Sequence, residues 1–299
     1  MKKKLQVEDL AFNTFNLIFM LFLVTVTLYP FLNTIAISFN EGMDSIRGGI
    51  YLWPRLFTLK NYESVFVGGT IFNAFYISVA RTVLSAIINV FFTTMLAYTL
   101  TRGEYIFRRL ITLAFVLTMY FSAGLIPYYF LIKALGLRNN FLVYIIPSMV
   151  GAWNLIIIRT YIKTIPESLV ESAKIDGAGD FRIFLRIILP LCKPVLATIA
   201  LFVAVGAWNS WFDTFIFCSS RQELSTLMYE LMKLLASTTQ TTYNPALMVG
   251  ANADTAAQIV TPVSVRAAIT VVASVPIILV YPFLQRYFVT GLNIGSVKE

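Results

Sequence analysis

The sequence predicts an all-α polytopic membrane protein with six transmembrane helices. Three observations carry this. Hydrophobic residues make up 58% of the 299-residue chain and charged residues 13%, against roughly 45–50% and about 25% in soluble domains. Six apolar segments recur, at about 12–37, 71–100, 110–134, 141–163, 195–217 and 266–288, each near or above the roughly 20 residues a spanning helix needs. The remaining loops are too short for a separate soluble domain, so residues 1–299 read as one transmembrane domain.

The first segment follows Lys2, Lys3 and Lys4. It is too long for the roughly 7–15-residue apolar core of a cleavable signal, so it reads as a retained helix. Pro30, Pro127, Pro147, Pro276 and Pro282 fall inside or at the ends of the spans; such breaks are tolerated where neighbours satisfy the freed carbonyls. Two longer connections, about 38–70 and 218–265, lie on one side. The second carries a helix-period apolar stripe, Leu224, Leu227, Met228, Leu231, Leu234 and Leu235, followed by a Thr- and Asn-rich loop.

Charge placement orients the bundle. Lys2–Lys4, Arg102, Arg108, Arg109, the cations between spans four and five, Arg286 and Lys298 all fall on one side if six spans alternate. The positive-inside rule puts that side, with both termini, in the cytoplasm. It also accounts for the net charge of +8 without nucleic acid. Cys192 and Cys218 bracket the fifth span and so cannot pair. With no His and no Cys cluster, zinc-type sites are not expected.

The most polar insertion among the spans is the cytoplasmic loop 164–194. Thr164 and Glu167 fit a capping box. Leu169, Val170 and Ala173 then share a helical face, and Gly177 and Gly179 can take the positive φ that stops a helix. Asp180 can cap a second helix bearing Phe181, Phe184 and Ile188 up to Pro190. A short amphipathic helix here either docks into a partner or rests on lipid headgroups.

Glu171-Ser-Ala173, Gly177, Ile187, Leu189 and Pro190 resemble the EAA motif of permease subunits in bacterial ABC importers, E-A-A, three residues, G, nine residues, I-x-L-P. The spacing matches throughout, and the one departure is Ser172 for the second Ala. Gln285–Gly291 with Gly295–Lys298, Ala97-Tyr98 with Arg102, and Trp208-Asn209 are similar to the maltose-type sugar permeases, so the resemblance covers nearly the whole chain. It implies the type I ABC importer permease fold in the bacterial cytoplasmic membrane, carrying a carbohydrate in the form of an oligosaccharide. It implies that Glu171, Ser172, Ala173, Asp176, Gly177 and Pro190 form a coupling helix and turn seated on an ATPase, and that the tail at Gly291 and Gly295 reaches toward the ATPase dimer. The implied partners are a second permease subunit, two ATPase subunits holding ATP and Mg, and an extracellular solute-binding protein. No cofactor or metal is expected on this chain, which is non-catalytic and has no GxxxxGK[ST] phosphate loop.

The substrate pathway is sought among polar and aromatic residues within spans. Trp208 and Asn209 lie about thirteen residues beyond Val195, or about 20 Å along a helix, in the outer half of the bilayer. Trp208 and Trp211 then share a face on which a sugar can stack, with Asn209 and Asp213 bonding hydroxyls; an aromatic belt with interhelical hydrogen bonds fits the same pattern. Arg81 is placed at the outer edge of span two, where snorkelling is cheap, although a midplane position requiring an anionic partner is the alternative. An exposed Arg81 would suit a uronic or sialylated sugar. Rival functions are ABC permease for a non-sugar solute and an ion-coupled secondary transporter. The second calls for buried carboxylates near the midplane, and acidic residues within the spans are nearly absent apart from Asp213.

Overall fold

The computed structural model describes residues 7–66, 69–242 and 260–294. Among the described residues its regular secondary structure is helical apart from one isolated antiparallel bridge, Asn40 to Phe57. The helices are α1 (Val7–Ser38), α2 (Gly42–Ile46), α3 (Lys60–Phe66), α4 (Thr70–Thr101), α5 (Arg108–Tyr120), α6 (Leu125–Ala134), α7 (Ala152–Ile162) and α8 (Ser168–Ile175), then α9 (Asp180–Leu191), α10 (Lys193–Asn209), α11 (Leu227–Thr242) and α12 (Pro262–Ile294). The chain forms two compact units, Met1–Gly68 with Lys233–Val275, and Gly69–Met232 with Pro276–Glu299.

In the first unit α1 is apolar all round, and none of its most apolar window is buried within the chain. The hydroxyls of Thr25, Thr27 and Thr34 donate to carbonyls four residues back, which removes their need for water. Past α1 the backbone is organised by Asn40. Its Nδ2 donates to Asp44 Oδ2 (2.9 Å) and Ser45 Oγ (3.1 Å), and its Oδ1 accepts from Leu56 N (2.9 Å). Asn61 Nδ2 ties the carbonyls of Ser38 and Asn40. The bond from Asn40, then Arg55, holds the Asp44 carboxyl below its ordinary range.

The second unit is built on α4. Ser78, Arg81, Ser85, Asn89 and Thr93 are buried along it at spacings of three or four, so they form one polar stripe. Neighbouring backbone satisfies much of it. Ser85 Oγ donates to Tyr144 O, Asn89 Nδ2 donates to Ser148 O, and Ser78 Oγ accepts from Leu227 N. Beyond the stripe the end of α4 joins α7, α8, α9 and α10 in an apolar core that includes Leu100, Ile158, Ala173, Phe184 and Ile199.

Not all six expected spans are continuous helices. Among the described residues three helical stretches are long and apolar enough to cross a membrane, Phe12–Ser38, Thr70–Thr101 and Pro262–Val280. A fourth is possible if α9 and α10, bent by 81°, count as one. The other segments are interrupted. Segment 110–134 breaks between α5 and α6, where Gly124 takes φ +83°. Segment 141–163 is a 3₁₀ turn, Phe141–Tyr144, then irregular chain through Pro147 to Gly151 before α7 begins. Segment 195–217 stops at Ser210, whose backbone is extended, and resumes as a π turn, Thr214–Cys218. The α9–α10 bend has a local cause, because Pro194 lacks the N–H that would bond the Pro190 carbonyl. Cys192 and Cys218 are both buried and unbridged.

Candidate functional site

Two places in the second unit concentrate chemistry. The first is the α8–α9 hairpin. Thr164 does not form the expected capping box, since its hydroxyl turns back to Tyr161 O and no side chain caps α8 at Glu167. Val170 and Ala173 are buried, whereas Leu169 faces outward with Glu171, Ser172 and Asp176. Ile175 is 87% exposed. The helix ends in a Schellman motif. Ala178 N donates to Ala173 O (2.9 Å), Gly177 N donates to Lys174 O (3.0 Å), and Gly177 sits at φ +76°. Gly179 is at φ −71° and is itself the N-cap of α9, so Asp180 is the first helical residue and not the cap. In α9, Phe184 and Ile188 are buried while Phe181 is exposed, and Phe184–Ile188 winds as a π turn. Pro190 is exposed near the end of α9.

This hairpin is tied to the connection after α4. Lys174 Nζ donates to Glu104 Oε1 (2.8 Å). That bond is the first cause holding Glu104 below its ordinary carboxylate value of 4.5 and Lys174 above its ordinary 10.5. The Arg102 guanidinium lies 4.7 Å from the centre of the buried Tyr98 ring, a cation–π contact. Tyr98 in turn packs on Phe184 of α9.

The second place is a cavity of about 400 Å³ whose walls include Arg81, Asn89, Tyr128, Asn154, Gly206 and Asp213. Arg81 is 4% exposed and ion-paired through Nη2 with Asp213, whose side chain is 38% exposed. The expected edge position with a freely snorkelling Arg81 therefore gives way to a buried, neutralised cation. Its Nη1 donates to Ser210 O (3.1 Å), the open carbonyl end of α10, where a cation also meets the negative end of the helix dipole. Ser210 Oγ donates to Asp213 Oδ2 (2.8 Å), and the guanidinium lies 4.6 Å from the centre of the Tyr144 ring. One side chain thus bridges both sides of the break in the fifth segment.

The cavity differs from the aromatic face expected from sequence. Trp208 is buried edge-on to Phe75, Asn209 is exposed, and Trp211 stands beyond the break against Phe212 and Phe215. None of the three lines the cavity. The cavity has a further polar wall of Ser85, Asn89, Tyr144, Ser148 and Asn154, of which sequence singles out only Asn89, as an interhelical hydrogen-bonding residue, and its bonds to Ser148 O and Asn154 are of that kind. The three- and four-residue rhythm of polar residues in α4 is the signal that finds the first two. A larger groove of about 490 Å³ at the α5–α6 break includes Ser122, Pro127 and Leu131 and has no charged side chain in its wall. Gly291 lies within α12, and Gly295 lies outside the described residues.

Comparison with known proteins joins these features. Residues 66–294 match the family described as "Binding-protein-dependent transport system inner membrane component". The chain is 36% identical over 291 residues to Protein LplC of Bacillus subtilis (strain 168), covering 96% of this chain and 95% of that protein. It is 34% identical over 282 residues to the polygalacturonan/rhamnogalacturonan transport system permease protein YtcP of the same organism, covering 94% and 96%. In structure it superposes with a TM-score of 0.79, at 27% identity, on a chain of a bacterial ABC transporter involved in the import of the acidic polysaccharide alginate, covering 95% of this chain and 98% of that one. The chain belongs to the family of inner membrane components of binding-protein-dependent transport systems.

Proposed function

We propose that this chain is a pore-forming permease subunit of an ATP-driven importer that carries an oligosaccharide into the cytoplasm. The α8–α9 hairpin is the observation that supports it most. A short helix with Leu169, Glu171, Ser172, Asp176 and Ile175 outward, packed through Val170 and Ala173 and stopped by Gly177, can transmit displacement as a rigid lever. The saccharide cargoes named for YtcP and for the alginate transporter support the carbohydrate assignment.

In this reading the six apolar segments each cross the membrane, three of them as broken elements, with both termini and α8 in the cytoplasm. ATP and Mg sit on two partner ATPases. A second permease completes the pore, and an external binding protein delivers cargo. ATP-driven closure of the ATPases moves α8 and the attached end of α4. The chain itself catalyses nothing. Its Gly291 and Gly295 tail approaches the ATPases.

The test is uptake of labelled arabinotriose, raffinose and trigalacturonate into proteoliposomes holding the complete transporter. ATP-dependent uptake of at least one is expected. Gly177→Lys is expected to insert normally yet lose at least tenfold in uptake and in transport-coupled ATP hydrolysis. Normal uptake by that variant sinks the lever, and uptake of none by the unaltered transporter sinks the carbohydrate assignment.

A further inference from the structure

We propose that the cavity beside the Arg81–Asp213 pair is a subsite of this subunit for one uncharged sugar ring, and that Arg81 positions the wall of that subsite instead of receiving an acidic group. The proposal rests on the carbohydrate reading above and adds to it where in this chain a sugar is held and which class of ring is accepted.

Size comes first. A cavity of about 400 Å³ is within the roughly 300–1,000 Å³ of small-molecule sites, enough for a ring with its substituents. Its wall keeps that space open because Gly206 and Ala207 carry almost no side chain there. A Cβ placed on Gly206 would meet no atom within 4 Å.

The wall then offers hydrogen bonds that the protein leaves unused. Asn89 Nδ2 donates to Ser148 O (2.6 Å), and Asn154 Nδ2 donates to Asn89 Oδ1 (3.1 Å). An amide nitrogen has two N–H donors, so one remains on each. Among the described residues Asn154 Oδ1 accepts no bond. Asp213 Oδ2 is taken by Arg81 and Ser210, while Oδ1 accepts no bond from any described residue. Donors and acceptors are therefore mixed, as vicinal hydroxyls require, since each hydroxyl both donates and accepts. Tyr128, part of the same wall and packed against Phe217, supplies an aromatic surface for the C–H face of a ring.

Charge selects the class. Among the described residues, the only ionised groups in the wall are Arg81 and Asp213, and they cancel. A sugar carboxylate entering here would meet the free oxygen of Asp213 and no uncommitted cation, and like charges at short range repel strongly away from bulk water. A neutral ring meets neither cost.

The experiment uses the complete transporter in proteoliposomes, with Ala207→Cys as a reporter inside the cavity. The native thiols, Cys192 and Cys218, are buried and do not compete for a methanethiosulfonate reagent. Arabinotriose or raffinose is expected to slow modification of the reporter at least fivefold, and trigalacturonate at the same concentration less than twofold. Adding Gly206→Leu fills the cavity on a helix where leucine is favoured over glycine. It is expected to abolish protection with thermal stability kept. Equal protection by acidic and neutral sugars, protection by trigalacturonate alone, protection by none, or protection that survives Gly206→Leu overturns the subsite. ATP-driven uptake that persists in the absence of protection condemns the subsite alone; absence of any saccharide uptake condemns the transport reading beneath it.

Discussion

Gly177 stands at φ +76° with no atom within 4 Å of where a Cβ would go. Any penalty for a side chain there therefore comes from the backbone alone. Gly177→Ala is expected to cost about 1–2 kcal/mol, the left-handed penalty of an L-residue, read as a lowered melting temperature in detergent. Gly179→Ser should be neutral or slightly stabilising in the same measurement. Gly179 is at φ −71°, ψ 157° at the N-cap of α9, where serine is a preferred residue. An unchanged melting temperature for Gly177→Ala would show that the Schellman turn is not what stops α8. The sequence motif gives both glycines the same task, because composition reports what a glycine is permitted to do and not which φ its neighbours impose. The Arg81–Asp213 pair was hidden for a related reason. The partners are 132 residues apart, and hydropathy along each span says nothing about which faces meet.

At the scale of elements, the Lys174–Glu104 bond ties α8 to the connection leaving α4. Both side chains reach water, so the pair contributes little and salt weakens it. Its pH dependence has a definite sign. Glu104 is lowered by folding, so its contribution is present above its ordinary 4.5 and is lost as pH falls through the lowered value. Lys174 is raised, so its contribution is present below its ordinary 10.5 and is lost as pH climbs through the raised value. A double-mutant cycle with Glu104→Gln and Lys174→Met should show coupling at pH 7 that vanishes in strong acid and in high salt; coupling indifferent to both would remove the ion pair. The existence and order of the helix, turn and second helix after residue 164 were readable from apolar spacing, glycine and proline. The capping details were not, because the Thr164 hydroxyl has a nearer acceptor in Tyr161 O. The interruptions at Gly124, Pro147–Gly151 and Ser210 also escaped hydropathy, which counts apolar residues regardless of the course of the backbone.

For the whole molecule, the expected orientation rests on cations alone and is open to a direct measurement. Tyr51 and Ile175 are both well exposed, and the two native cysteines are buried. A membrane-impermeant maleimide should label Tyr51→Cys in intact cells and Ile175→Cys only after permeabilisation. The reverse pattern would invert the topology, and labelling of both in intact cells would contradict an odd number of crossings between them. The helical class was legible because a bilayer imposes its constraint on composition directly. The division of the chain into two compact units was not, since Lys233–Val275 returns to the first unit from far along the sequence.

The π turn at Phe184–Ile188 gives this chain a tolerance for lost length at one point. Ile183 and Ile188 are both buried although they are five residues apart, which a wider turn allows and an α-helix does not. Deleting the half-exposed Leu185 would leave them four apart, the ordinary α spacing, with the buried face intact. Deleting Val83 from the regular α4 would instead rotate everything beyond it by about 100° and unseat Asn89. The first shortened chain should assemble and transport, and the second should not.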